Sequence, residues 1–102
     1  MHAVITDHLD ELAELCRRYN VERLEVFGSA ATGQFDPERS DVDLLVRFGP
    51  WEGIGALRQY MDFLFGCEDL FGRHVDLVEE GAIRNPYFRK SVNKHRTVVY
   101  DR

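Results

Sequence analysis

The sequence predicts an α/β (α+β) fold, a small mixed sheet flanked by helices in the order αβαβαβα. Three observations predict it. Short apolar segments around Val26, Leu44 and Leu77 have the length and alternation of strands. Between them lie longer stretches whose apolar residues recur at helical spacing. The chain has 102 residues, enough for a single core, and residues 1–102 are read as one domain.

The first helix is expected from about Asp7 to Tyr19, where Leu9, Leu12, Ala13, Cys16 and Tyr19 share a face and acids lie opposite. Thr6 or Asp7 caps it, the early acids suit the positive end of the helix dipole, and Asn20 ends it. Leu24–Phe27 is a short strand that runs directly into Gly28-Ser29. Ala30-Ala31-Thr32-Gly33 allows one or two helical turns stopped by Gly33, and a polar loop follows through Ser40.

Asp41 to Phe48 is the second strand, with Val42, Leu44 and Val46 on the face opposite Asp41, Asp43 and Leu45. Gly49-Pro50 closes it. The next helix spans Trp51 to Phe65 with a stripe of Ile54, Leu57, Met61, Leu64 and Phe65, and Gly66 stops it. In that region Trp51 anchors the helix, and Tyr60, Phe63 and Phe65 are expected in the core. Val75–Val78 is the third strand. Asn85-Pro86 starts the last helix, an N-cap followed by proline at the first helical position, and Thr97–Tyr100 is extended.

Composition narrows the function classes. The net charge of -5 argues against a dedicated nucleic-acid binder, so no direct nucleic-acid binding is expected. Cys16 and Cys67 have no metal-type spacing and are read as reduced, buried small hydrophobes. No run reaches transmembrane length and the N-terminus carries no apolar signal region, so no membrane association and a cytoplasmic location are expected. His2, His8, His74 and His95 also lack ligand spacing and are read as surface or capping residues. Charge is uneven: Asp7, Asp10, Glu11 and Glu14 begin the chain, while Arg84, Arg89, Lys90, Lys94, Arg96 and Arg102 dominate its end. That asymmetry reads either as solvated helix faces or as a contact surface for a phosphate or an acidic partner.

The chemistry-bearing residues fall into two elements. Gly28 lets a backbone turn approach a phosphate closely, and Ser29 adds a hydroxyl at a helix start. Such a pair alone commonly serves only as a helix cap. Asp41 and Asp43 point to one side of a strand that is otherwise apolar, where acids are depleted. Alone they suit a solvent-facing strand, but beside the glycine turn they suit Mg²⁺ bridging carboxylates and phosphates. Asp76 repeats the device on the third strand. Three carboxylates, two metal ions and a triphosphate together make a phosphoryl- or nucleotidyl-transfer site.

The segment VFGSAATGQFDPERSDVDLLV, with the later VDLV, resembles the minimal nucleotidyltransferases of the DNA polymerase β-like superfamily. The resemblance covers most of the chain, from the first helix to the closing VVYD. It implies a palm-like sheet, Mg²⁺ dependence with a two-metal site, and transfer of a nucleoside monophosphate from a triphosphate. By position it implies that Gly28 and Ser29 bind the triphosphate and that Asp41, Asp43 and Asp76 are the metal-ligating catalytic triad. Relatives often carry Gly-Ser-x-Ala-Arg-Gly, whereas Thr32 stands here at the arginine's place; Arg39 and Arg47 are the alternative sources of that charge.

Small stand-alone members resemble the antitoxin half of toxin–antitoxin pairs, whose partner is a HEPN-type ribonuclease. The resemblance therefore implies transfer of AMP from ATP to a tyrosine hydroxyl of such a toxin. Two alternatives accompany it: a non-catalytic antitoxin that masks its toxin, and transfer to a small molecule such as an aminoglycoside. The chain is little more than a palm, so its acceptor site is expected to be completed by another protein or by a second copy of itself.

Overall fold

The computed structural model describes residues 1–50 and 55–102. The elements are α1 (Ala3–Thr6), α2 (Leu9–Arg18), β1 (Val21–Phe27), β2 (Val42–Phe48), α3 (Ala56–Phe71), β3 (Val75–Glu79), α4 (Pro86–Lys94) and β4 (Arg96–Asp101). Short 3-10 turns cover Gly28–Ala31 and Glu80–Ala82. The four strands form one sheet in the order β3-β2-β1-β4. β1 is antiparallel to both β2 and β4, whereas β2 and β3 are parallel and joined through α3. The mixed sheet with flanking helices matches the fold class predicted, and the expected extended end proves to be a full edge strand.

Period-two alternation sorts the sheet residues onto two faces. Leu24, Val26, Val42, Leu44 and Val46 pack with Ile5, Leu12, Cys16, Phe63, Cys67 and Phe71 in the main core. Phe27 and Leu45 point the other way and join Ile83 and Val92, the latter from α4, in a second cluster. β1 and β2 are therefore covered on both faces along part of their length. Asp43 and Asp76 lie at the end of the second face nearest Gly28, while Glu25 sits in mid-strand on that face opposite Leu45.

Several expected boundaries are corrected. The first helix is two: α1 ends at Thr6, and α2 starts after His8, whose side chain makes no capping bond. The break lets Ile5 drop fully into the core, and α1 is capped by His2, whose Nδ1 accepts from Val4 N at 3.0 Å. Residue Gly33 is not the stop expected, because the 3-10 turn ends at Ala31 and Thr32 is its cap. The first strand begins earlier than Leu24 because Val21 pairs with Phe48.

The largest correction concerns α3. Gly66 does not end it; the helix runs to Phe71 and stops at Gly72, whose φ is 63°. Gly66 is instead a close-packing point, since a Cβ there would stand 2.9 Å from Leu15 Cδ2 on α2. The buried stripe is Gln59, Phe63, Cys67 and Phe71, and it leaves Leu57 75% and Phe65 52% exposed. Phe63 is in the core as expected, Tyr60 is partly buried with its hydroxyl donating to Leu77 O, and Phe65 is not core at all. Gln59 belongs to the stripe because its amide donates to Tyr19 O (2.7 Å) and Gly49 O (3.3 Å), tying helix to loop. Trp51 and Ile54 lie outside the described residues.

Both cysteines are buried and free, as expected. Burial pushes the Cys16 thiol up to about 12 and the Cys67 thiol higher still, so both stay protonated. Asn85 caps α4 as read: its Oδ1 accepts from Tyr87 N (2.9 Å) and Phe88 N (3.3 Å), with Pro86 at the first position.

Candidate active site

β1 delivers Phe27 into Gly28, whose φ of +67° bends the chain into the 3-10 turn that carries Ser29. A non-glycine residue would be strained in that region. The turn lies directly against β2, where Asp43 is the cross-strand partner of Phe27. A Cβ on Gly28 would come within 2.4 Å of Asp43 Oδ2. Thr32 closes the turn: its hydroxyl donates to Ser29 O (3.1 Å) and accepts from Gln34 N (3.2 Å).

On the other side of β2, Asp43 is in register with Asp76 on the parallel strand β3. Parallel pairing with matched register puts both side chains on the same face. Asp41, exposed, stands at the entry to β2, and Asp76 is exposed on the edge strand. Asp43 is partly buried, and its carboxyl is pushed up to about 6. Burial is the main cause, followed by the negative charges of Asp76 and then Asp41, with His74 acting in the opposite direction. Asp43 thus feels the charge of both other acids.

Among the described residues no three His, Cys, Asp or Glu side chains form a ready-made metal cage. The donor set nevertheless fits a hard divalent cation: carboxylate oxygens from adjacent strands whose mutual repulsion a positive charge would relieve. The space beside Gly28 that a Cβ would fill borders one of those oxygens.

The sequence singled out Gly28, Ser29, Asp41, Asp43 and Asp76, and the fold brings their elements to one end of one face. It does not bring Arg47 there. That side chain lies toward the far end of β2 and pairs with Glu22 at 3.3 Å. Arg39 is exposed and has no ion pair among the described residues. Two neighbours were not singled out. His74 precedes β3, pairs with Glu68 at 3.4 Å and acts electrostatically on Asp43. Phe88 of α4 meets Phe27, the residue before the glycine turn, edge-on at 6.4 Å. Its proximity follows from how α4 folds back across the sheet, which no local motif encodes.

The basic C-terminal region is mostly internal fastening. Arg96 donates to Glu25 of β1 and to Glu80 (3.2 Å), and Arg84 and Arg89 donate to carbonyls at Gly81, Ile83 and Glu80. Lys90 and Lys94 of α4 are exposed and make no such bonds among the described residues. Among the described residues no helix is long and apolar enough to cross a membrane.

A glycine turn on one strand with acids on the two beside it, in a β3-β2-β1-β4 sheet, defines a nucleotidyl-transfer class of protein. Residues 9–99 match the nucleotidyltransferase domain family, and the chain belongs to that family. It is a nucleotidyltransferase by family and fold.

Over 80 residues the chain is 39% identical to "Putative protein adenylyltransferase MJ0128" of Methanocaldococcus jannaschii, the match spanning 78% of each chain. A solved "putative minimal nucleotidyltransferase" superposes with a TM-score of 0.72 at 33% identity, covering 91% of this chain and 90% of that one. The complex of a tri-AMPylated Shewanella oneidensis HEPN toxin with its MNT antitoxin gives a TM-score of 0.64 at 13% identity. That alignment covers 95% of this chain and 72% of the other, and it is a likeness of fold.

Proposed function

We propose that this chain transfers AMP from ATP to a hydroxyl, a tyrosine side chain, of a HEPN-type ribonuclease toxin and so acts as its antitoxin. The observation that carries the reading is the register of Asp43 with Asp76 beside the Gly28 turn. The adenylyltransferase name of the 39% identical relative supports transfer to a protein, and the fold neighbour supports a toxin as the acceptor.

In this reading the Gly28 and Ser29 N–H groups and the Ser29 hydroxyl hold the triphosphate. Asp41, Asp43 and Asp76 would hold Mg²⁺, which when bound offsets phosphate charge and lowers the pKa of the attacking hydroxyl. Asp76, exposed on the edge strand, orients the incoming hydroxyl and accepts its proton. The acceptor oxygen bonds to the α-phosphorus as the bond to pyrophosphate breaks. Pyrophosphate leaves, and the proton passes from Asp76 to solvent.

The test is incubation with a HEPN-type ribonuclease that binds this chain, ATP and Mg²⁺, followed by intact mass. Gain of one or more AMP units on the partner supports the reading. An unmodified partner, under conditions where the two proteins form a complex, overturns it.

Thr32 favours a second reading, neutralisation by masking. It closes the turn through Ser29 and Gln34 and brings no positive charge to the phosphates. Neutralisation in cells that survives the double change Asp41→Asn, Asp43→Asn supports masking; its loss supports chemistry.

A further inference from the structure

We propose that Arg73 is the positioning residue that sets Asp41 relative to Asp76. The inference rests on the reading of Asp41, Asp43 and Asp76 as a metal-binding set and assigns the element that holds one member in place.

Asp41 is the least constrained of the three. It is exposed, lies one residue before β2, and its carboxylate makes no hydrogen bond or ion pair among the described residues. Its location is therefore dictated by the backbone on either side. Downstream, Val42 N donates to His74 O at 3.2 Å, the first link between the β2 and β3 strands. Upstream, the carbonyl of Ser40 accepts from Arg73 Nη1 at 3.2 Å, and the same nitrogen donates to Pro37 O at 3.0 Å. One guanidinium thus gathers two carbonyls of the loop that delivers Asp41.

The anchor is itself fixed. Arg73 follows Gly72, the left-handed stop of α3, and precedes the strand that carries Asp76. Its guanidinium carbon lies 4.9 Å from the centre of the Phe35 ring. That ring is 6% exposed and rests against the His2 imidazole, 4.7 Å between centres. Arg73 Nε is buried and has no hydrogen-bond partner among the described residues. Among the described residues no carboxylate pairs with the group; its acceptors are loop carbonyls and its support is an aromatic face.

Phe35 seats the start of the loop in the core, and among the described residues the other hydrogen bonds of residues 36–40 run within the loop itself. Ser40 Oγ accepts from Asp36 N (2.9 Å), Ser40 N donates to Asp36 O (2.8 Å), and Asp36 Oδ1 accepts from Glu38 N (2.9 Å). Those bonds give the loop its shape but do not tie it to β3. Arg73 does, so it couples the approach to Asp41 with the approach to Asp76. The planar guanidinium donates to two carbonyls while its flat face lies over the ring; an ammonium can serve the carbonyls but has no flat face to lay on Phe35.

The test is Mn²⁺ binding, read as loss of the free-ion electron paramagnetic resonance signal in the presence of ATP. Arg73→Lys and Arg73→Met should bind Mn²⁺ about 10- to 100-fold more weakly than the unaltered chain, the range for loss of a group that orients a ligand. Nucleotidyl transfer by either variant should recover as Mg²⁺ is raised. Phe35→Leu, which keeps an apolar side chain but removes the ring, should shift Mn²⁺ affinity in the same direction by less, and it serves if the Arg73 variants do not fold. A lower melting temperature with Mn²⁺ affinity unchanged in these variants would mean that Arg73 only staples the loop, which overturns the proposal. Asp43→Asn is the reference: if it binds Mn²⁺ as well as the unaltered chain, the metal-site reading fails and the proposal with it.

Discussion

Gly28 and Asp43 are packed so that a single methyl group between them is forbidden: a Cβ on Gly28 would stand 2.4 Å from Asp43 Oδ2. The glycine is needed twice, once for its positive φ and once for the space it leaves beside the carboxylate.

Gly28→Ala should therefore lower stability by about 2 kcal/mol or more, the left-handed backbone alone costing about 1–2 kcal/mol. Combined with Asp43→Ala, part of the loss should disappear, because the clash is removed while the backbone strain remains. Urea unfolding of the two single variants and the double variant checks this as a coupling energy. Strict additivity would refute the contact.

Asp43 should make the metal-free protein gain stability on mild acidification. Its carboxyl is raised from 3.8 to about 6 in the folded chain. The associated stability is present in full below pH 3.8 and is lost as pH rises through 6. Asp43→Asn should be the more stable form at pH 8, by on the order of 1 kcal/mol after allowance for solvent screening of a partly exposed group. That advantage should vanish near pH 4. Thermal unfolding of both forms across this range, in chelator, measures it.

Asp76→Asn removes the larger of the two like charges acting on Asp43. The Asp43 carboxyl should then titrate lower, though still above its ordinary value because burial persists. Carboxyl-detected NMR follows that shift directly. On the proposed mechanism, the same substitution should reduce AMP transfer at least ~100-fold, the usual scale for removing a positioned acid or base.

Glu25 is a carboxylate almost fully removed from water, at 4% exposure, and is held by Arg96 and, at 3.4 Å, by Arg23. Glu25→Ala leaves the partly buried Arg96 with only Glu80 and Asn93 as acceptors among the described residues and should cost about 2 kcal/mol. Replacing both Glu25 and Arg96 by leucine should cost less than Glu25→Ala alone. Denaturant midpoints of the three proteins decide the matter.

The strands and their acids could be read from the chain because period-two alternation is local and Asp41, Asp43 and Asp76 break it visibly. The glycine turn was legible for the same reason, since Phe27, Gly28 and Ser29 are consecutive. Helix α3 was not. Its exposed Leu57 and Phe65 mimic an apolar stripe, while its true core face includes Gln59, whose polar amide is satisfied by carbonyls far away in sequence. Gly66 carries a stop signal by type, yet its lack of a side chain is used to admit Leu15 from α2. His74, Phe88 and Arg73 escaped because their roles arise from which strands become neighbours, and that information is spread across the whole chain.

The strand order has a consequence for how the chain is made. β1, which ends in the glycine turn, has one edge satisfied by β2 and the other by β4, whose pairs with it include Arg23 with Asp101. During synthesis, that second edge stays open until residues 96–101 have left the ribosome. Phe88 and Val92 reach the second face of the sheet only shortly before that. Long-range pairing of this kind is slow and leaves an unpaired strand exposed in the meantime. A ribosome stalled before β4 should therefore display a nascent chain that has its first two helices but an open β1 edge, and protease should cut it far faster than the released protein.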